Sequence, residues 1–320
     1  MKGLRLLVTG GAGFIGSHLV DRLVTEDPSE IIVVDDFSLG RESNLSHALA
    51  EGGSRVKIVK ADAGNFEQLT DAIGPEPVDI LFDLAVVPLP ASLVDPSGSS
   101  ASNVAISLAA CEAVRLGLAR TLLHFSSSEV YGTASYVPID EVHPFNRSTP
   151  YAASKLAGDQ LVLSYVHTFG IDAVVIRPFN NYGPRQNDRT YAGILPIIAR
   201  RVEAGLPVEI YGDGEQTRDL IFVTDTVRAV VSAASKISEL KGMTLNVATG
   251  KETSVNALVA LTLQACGVPG HPVVHLPPRA GDVRRHLASN ALAAEFLHFA
   301  PEVELLDGLR RTMDFYRSEQ

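Results

Sequence analysis

Thr9-Gly10-Gly11-Ala12-Gly13-Phe14-Ile15-Gly16 is the stretch whose reading decides the fold. An apolar run over residues 4–9 breaks at these glycines and passes directly into a segment of helical period over residues 15–25. The pattern Gly11-x-Gly13-x-x-Gly16 permits a tight turn and a close approach of backbone N–H groups to an anion. At a helix N-terminus those N–H groups and the dipole favour negative charge. A strand, a glycine turn and a helix in that order predict a site for a dinucleotide pyrophosphate.

The same rhythm continues outward. Short apolar runs at 31–35, 56–60, 80–84, 121–126 and 173–177 alternate with amphipathic stretches at 65–73, 103–116 and 151–168. Continuous apolar strands separated by helices imply a parallel sheet covered on both faces. Right-handed crossovers then give a Rossmann-type doubly wound α/β fold. After Arg177 the punctuation changes, with Pro178, Gly183, Pro184, Pro196, Gly205, Pro207, Gly212 and Gly214 separating shorter elements. This predicts a dinucleotide-binding domain over 1–177 and a smaller C-terminal α/β substrate lobe over 178–320, with some later segments returning to the first domain.

Asp35 ends the second expected strand, nineteen residues after Gly16, where a carboxylate accepts from an adenosine ribose. A carboxylate there repels a 2′-phosphate, so NAD is expected rather than NADP, although Arg41 lies nearby. Asp36 adds a second acid beside it. Tyr151 and Lys155, at i and i+4, share one helix face behind the start signal Ser148-Thr149-Pro150. A tyrosine titrates near ~10 and is a poor base alone, and an adjacent ammonium stabilises its phenolate.

The bulk composition sets limits. The chain has 320 residues, 46% apolar and 20% charged, enough for a large core plus a smaller lobe. A net charge of −10 speaks against a nucleic-acid surface. No apolar stretch reaches the roughly 18 residues of a membrane span, and the first apolar run is too short for a signal peptide. Cys111 and Cys266 are expected as two buried thiols in a reducing cytoplasm. No Cys/His spacing suggests a metal site.

Taken together, Gly10, Gly13 and Gly16, the pair Tyr151/Lys155, and Ser126-Ser127-Ser128-Glu129-Val130-Tyr131-Gly132 resemble the extended short-chain dehydrogenase/reductase family. Within it the resemblance is to the NAD-dependent nucleotide-sugar epimerase/dehydratase group. Arg177-Pro178-Phe179-Asn180-Asn181-Tyr182-Gly183-Pro184-Arg185, Gly212-Asp213-Gly214-Glu215-Gln216-Thr217-Arg218-Asp219 and Arg279-Ala280-Gly281-Asp282 extend the resemblance from about residue 4 to 316. It implies catalytic roles for Ser127, Glu129, Tyr151 and Lys155. It implies cofactor contacts at Gly10, Gly13, Phe14, Ile15, Gly16, Asp35, Asp36, Asp62, Ala63, Leu84, Ala85, Val86, Asn103, Tyr151, Lys155 and Pro178. It also implies substrate contacts at Ser127, Ser128, Asn180, Arg185, Arg218, Arg279 and Asp282. One departure is Val86-Val87-Pro88-Leu89-Pro90, apolar and proline-stiffened where many relatives continue Leu-Ala-Ala.

The reaction implied by the resemblance begins with oxidation at C4 of a UDP-, dTDP- or GDP-linked hexose. 4-Epimerisation is placed first, with the cofactor recycled. A 4,6-dehydratase using Glu129 as base follows closely, because Ser127-Ser128-Glu129 carries a carboxylate that epimerisation does not need. A UDP-glucuronate-type decarboxylase, steered by Arg185, Arg284 or Arg285, comes third, and an NAD(P)H-dependent ketoreductase fourth. A catalytically silent NAD-binding protein is disfavoured, since Ser127, Tyr151 and Lys155 are all present. By the same resemblance, the long helices 103–116 and 151–168 are expected to pair in a homodimer, with Leu108, Val114, Leu161 and Leu163 as contacts.

Overall fold

The computed structural model describes residues 1–146, 148–188, 193–278 and 283–318. Strand β1 (Arg5–Thr9) is buried at every position after Arg5. A strand shielded on both faces can be apolar throughout, which is why residues 6–9 show no alternation. The same logic shapes β2 (Glu30–Asp35), β4 (Val78–Asp83), β5 (Ala119–Phe125) and β6 (Asp172–Pro178), while β3 (Val56–Lys60) is less covered. Later strands are β7 (Asn180–Tyr182), β8 (Val208–Tyr211), β9 (Thr217–Phe222), β10 (Thr244–Val247), β11 (Glu252–Ser254) and β12 (Val273–Leu276).

Across the large sheet the order is β3-β2-β1-β4-β5-β6-β10. β1 lies parallel between β2 and β4, with Val8 opposite Val33 on one side and Phe82 on the other. The winding direction reverses between β1 and β4, and in such sheets ligands bind beyond the carboxyl ends at this switch point.

Helices α1 (Phe14–Val24), α2 (Ser46–Gly52), α3 (Phe66–Ile73), α4 (Leu89–Ser92), α5 (Pro96–Arg115) and α6 (Pro150–Phe169) connect the strands. Leu7, Val34, Leu81, Leu122 and Val175 of the sheet pack with Leu69 of α3, Ala110 of α5 and Val162 of α6. Expected and observed elements agree except at α5, which starts seven residues before 103. Asp95 caps it by accepting from Gly98 N, and Pro96 occupies the first turn. The intervening Ser-Gly-Ser-Ser-Ala-Ser carries no apolar period, so only the cap chemistry signals this start. α6 begins as expected, with Thr149 Oγ1 accepting from Ala152 N at 3.1 Å.

Two compact units emerge: Met1–Val130 with Thr149–Arg177 and Val227–Leu245, and Tyr131–Ser148 with Pro178–Thr226 and the residues from Asn246 on. A single cut after residue 177 therefore does not describe the chain. Residues 131–148 join the second unit through long-range bonds: Tyr131 donates its hydroxyl to Asn246 Oδ1 at 2.7 Å, and Asn246 N donates to Glu141 Oε1 at 2.7 Å. Residues 227–245 return to the first unit, where Val175 N donates to Met243 O and Gly242 N to Ala173 O.

The second unit contains the sheets β11-β9-β7 and β12-β8, with α7 (Ile194–Glu203), α9 (Val255–Ala265), α10 (Ala291–Leu297) and α11 (Leu305–Ser318). α8 (Val223–Ala234) bridges the sequence of the two. Buried Asp219 organises this unit by accepting from Thr249 N and Oγ1, Gly250 N and Ala288 N.

Among the described residues no helix is long and apolar enough to cross a membrane, and no group of His, Cys, Asp and Glu could hold a metal ion. Cys111 is buried. Cys266 is only half-buried, because it falls at the C-cap of α9 where the helix reaches the surface.

Candidate active site

The glycine turn joins β1 to α1 under tight steric constraint. Gly10 has φ +65°, and a Cβ there would stand 2.8 Å from Ala85 Cα. A Cβ at Gly16 would stand 2.2 Å from Gly10 O, so helix and turn touch backbone to backbone. Gly13 is the N-cap of α1, and no side chain caps the first turn and no acid lies in it. Gly10, Gly13, Phe14, Ile15 and Gly16 thus present the amide end of α1 without competition from a side-chain oxygen, which fits a pyrophosphate.

Asp35 closes this turn from β2. Its Oδ2 accepts from Ala12 N and its Oδ1 from Phe37 N, both at 2.9 Å. Burial pushes its carboxyl above the ordinary range, and the two backbone donors offset part of that. Asp36 beside it is exposed and accepts from Ser38 N. Sequence reading misses Gly40, where a Cβ would lie 2.8 Å from Asp35 Oδ1 and 2.9 Å from Ala12 Cβ. Its signal was a glycine four residues after Asp36.

At the switch point, Thr9 Oγ1 donates to Asp83 and accepts from Leu84 N and Ala85 N. Asp62 is exposed and Ala63 buried in the loop after β3, and Val86 is exposed in the loop after β4. Asn103, expected at the cofactor, is hydrogen-bonded to protein here: its Oδ1 accepts from Val87 N at 2.8 Å, and its Nδ2 donates to Val87 O and Ser154 Oγ. It clamps the proline-stiffened segment onto α6. Asn103→Ala is expected to destabilise the fold by about 3 kcal/mol, one buried polar group after another losing its partner. A urea unfolding midpoint measures this.

Tyr151 stands in the first turn of α6, with its hydroxyl hydrogen-bonded to Ser127 in the loop after β5. Burial pushes this phenol up to about 12; the Ser127 hydrogen bond lowers it, and Glu129 and Asp159 raise it further. Lys155, one turn on, is 4% exposed. Burial pulls its ammonium below the usual lysine range, while Asp83 and Asp159 hold it up. Ser128 is buried, and Glu129 is half-buried on a short 3₁₀ turn whose N–H donates to Ser127 Oγ at 3.2 Å. The structure therefore brings Ser127, Glu129, Tyr151 and Lys155 together in the first unit. It also places four buried ionisable residues nearby that sequence reading misses: Asp83, His124, Asp159 and Arg177. Asp159 was discoverable, because it continues the Tyr151–Lys155 face by one further turn.

In the second unit Pro178 is buried, and Arg185 is half-buried at φ 65°. Asn180 Nδ2 donates to Asp219 O at 3.3 Å and lies 3.1 Å from His286 Nδ1. Arg218 donates to Thr217 O and Val283 O. Arg284 and Arg285 form exposed ion pairs with Asp213 and Glu252. Arg279 and Asp282 lie outside the described residues.

A family model described as the NAD dependent epimerase/dehydratase family matches residues 6–248. The chain is 39% identical to a UDP-glucose 4-epimerase of Mycolicibacterium smegmatis over 318 residues, 99% of each chain. A UDP-N-acetylglucosamine 4-epimerase from Methanobrevibacter ruminantium, in complex with UDP-N-acetylmuramic acid, matches with TM-score 0.91 at 30% identity over 100% of both chains. A dTDP-glucose 4,6-dehydratase from Streptomyces venezuelae, with NAD bound, matches with TM-score 0.90 at 28% identity over 98% of this chain and 97% of that one.

Proposed function

The chain belongs to the NAD dependent epimerase/dehydratase family, and we propose that within it the protein is a nucleotide-sugar 4-epimerase that recycles its NAD. The observation that carries this reading is the Ser127–Tyr151 hydrogen bond, one helical turn before Lys155, in the same unit as the glycine turn. The long identity to a UDP-glucose 4-epimerase supports the choice among reactions, and supports a UDP-linked hexose as substrate.

Gly10, Gly13, Phe14, Ile15 and Gly16 would hold the pyrophosphate, with Asp35 and Asp36 at the adenosine ribose. Asp62 and Ala63 would serve the adenine, and Leu84, Ala85, Val86 and Pro178 the remaining wall. Bound NAD supplies a hydride acceptor for C4 of the sugar and a cationic ring that favours the Tyr151 phenolate. Tyr151 would take the C4 hydroxyl proton and return it to the same oxygen once the 4-keto sugar has turned its other face toward the cofactor. Ser127 holds the same oxygen by donating to it, and Lys155 stabilises the phenolate between the two transfers. Asn180, Arg185, Arg218, Arg279 and Asp282 are assigned to the nucleotide end of the substrate.

Glu129 favours a second reading, a 4,6-dehydratase, because its charge reaches Tyr151. Ser128 supplies no acid beside it, which places this reading behind epimerisation. A decarboxylase would need a steering arginine; Arg284 and Arg285 are paired with acids at the surface, which leaves half-buried Arg185 as the residue that reading would rest on. Glu129→Gln separates the two leading readings. For an epimerase, turnover persists and its acid limb moves to lower pH, since removing Glu129 lowers the Tyr151 pKa. For a dehydratase, loss of water falls by about 100-fold or more. The direct test of the function is incubation with NAD and a panel of UDP-, dTDP- and GDP-hexoses. Unchanged product mass with altered chromatographic mobility is expected, and loss of water or carbon dioxide would replace this reading.

The reading includes a homodimer through α5 and α6, where Leu108 is exposed and Leu161 partly so; Val114 is in the core and is withdrawn as a contact. It also includes a cytoplasmic setting, consistent with two cysteines that form no disulfide.

A further inference from the structure

Beneath Lys155 lies a cluster of charge with no access to water. Asp83 ends β4, His124 sits in β5, Asp159 lies in α6 and Arg177 in β6, and none is more than 2% exposed. Apolar strands do not carry such residues cheaply, since a buried ion must be paired to be tolerated. Asp159 Oδ2 accepts from both Nε and Nη2 of Arg177 at 2.9 Å. His124 Nδ1 lies 2.7 Å from Asp83 Oδ2, close enough for a charge-assisted hydrogen bond. Thr9 holds the other oxygen of Asp83.

Two buried atoms of the cluster are left without a hydrogen bond, His124 Nε2 and Asp159 Oδ1, and they face one another at 3.5 Å. A neutral imidazole donating from Nδ1 to Asp83 would turn its Nε2 lone pair toward a carboxylate oxygen, which is repulsive. A proton on Nε2 satisfies both orphaned atoms. The surroundings are tightly packed, a Cβ at Gly158 standing 2.5 Å from Ser107 Oγ and 3.2 Å from His124 Nε2, and the buried Ser126 hydroxyl lies against Asp159 as a further donor.

We propose that His124 is a buried imidazolium bridging Asp83 and Asp159, and that these two carboxylates, Asp159 one turn beyond Lys155, are the positioning residues that keep Lys155 an ammonium beside Tyr151. The proposal rests on the reading of Tyr151 as the proton acceptor. Three cations, His124, Lys155 and Arg177, then face the two buried carboxylates, Asp83 and Asp159, while Glu129 is the third acid whose charge reaches Tyr151. The groups facing His124 come from every packed element: Asp83 from β4, Cys111 near Asp83 from α5, Lys155 and Asp159 from α6, and Arg177 from β6. Burial and Lys155 push the imidazole down, but Asp159 and Asp83 outweigh them and hold it above the usual histidine range. Asp159 itself is held below the carboxylate range by His124 and Arg177 despite its burial.

The sign of the effect on catalysis follows. Asp159 raises both Tyr151 and Lys155. Asp159→Asn should therefore move both limbs of the pH–rate profile to lower pH, by about one unit. A purely structural role would lower the profile without moving it. His124→Asn removes a cation near Lys155 and should move the alkaline limb the other way. The second measurement needs no turnover: nitrogen NMR of ¹⁵N-histidine-labelled, NAD-loaded protein, with the His124 signal assigned by its absence in His124→Asn. Both ring nitrogens should carry protons at pH 8, where an ordinary histidine, titrating near ~6.5, is neutral. A neutral ring at pH 8, or Asp159→Asn limbs that stay in place, would overturn the proposal. The NMR arm reports even if no nucleotide sugar is turned over, so the two readings fail separately.

Discussion

Tyr151→Phe is expected to lower turnover about 1,000-fold while NAD affinity stays near that of the parent protein. The hydroxyl is the only atom removed, and its one protein partner on the site is Ser127. With its pKa pushed up to about 12, the resting side chain is a neutral phenol, so the substitution leaves no buried charge behind. Losing the Ser127 hydrogen bond costs about 1 kcal/mol of stability, too little to unfold the chain. Below that pKa the phenol holds its proton, so the parent turnover should rise with pH until Lys155 gives up its own. Initial rates across pH, alongside calorimetric NAD binding, check both parts. A Tyr151→Phe variant within tenfold of the parent rate would remove Tyr151 from the chemistry.

Gly16→Ala should have the next largest effect. The added methyl carbon would stand 2.2 Å from Gly10 O and 2.8 Å from Gly11 Cα. Both obstacles are backbone, so neither can rotate away, and the turn must open. Overpacking of this kind costs roughly 1–3 kcal/mol. Because the strain falls on the loop that meets the pyrophosphate, NAD affinity is expected to drop about 100-fold. Thermal unfolding with and without NAD measures it: the upward shift that ligand gives the parent should largely vanish. An undiminished shift would mean that the turn does not hold the cofactor.

The sequence made the first unit legible because its signals are local. Continuous apolar strands, a glycine turn after β1 and the Ser148-Thr149-Pro150 start of α6 each depend on neighbours in the chain. The start of α5 was not legible, since residues 96–102 are small and polar and only Asp95 and Pro96 mark the cap. That later segments return to the first unit was expected, but the passage of residues 131–148 to the second was not, since it depends on bonds such as Tyr131 to Asn246, 115 residues apart. Of the residues assigned to catalysis, Tyr151 and Lys155 share a face by helical spacing, and their roles came from the glycine turn and the family resemblance together with that spacing. Asp159 lies on the same face, but a carboxylate on a helix usually meets water, so its burial is visible only in the fold. His124 and Asp83 are single polar residues inside apolar strands, and only the fold shows that they meet. For Asn103 nothing in the sequence signals the bonds its amide makes to Val87 and Ser154, which lie 16 and 51 residues away in the chain.

The central claim is that C4 is oxidised and reduced again in one site without net redox change. It is tested most directly with a UDP-hexose carrying deuterium at C4. The C4 epimer is expected to form with deuterium retained at C4, no label in solvent and no accumulation of reduced cofactor, and Tyr151→Phe is expected to stop the exchange of configuration. Loss of the label, or stoichiometric build-up of NADH, would contradict it.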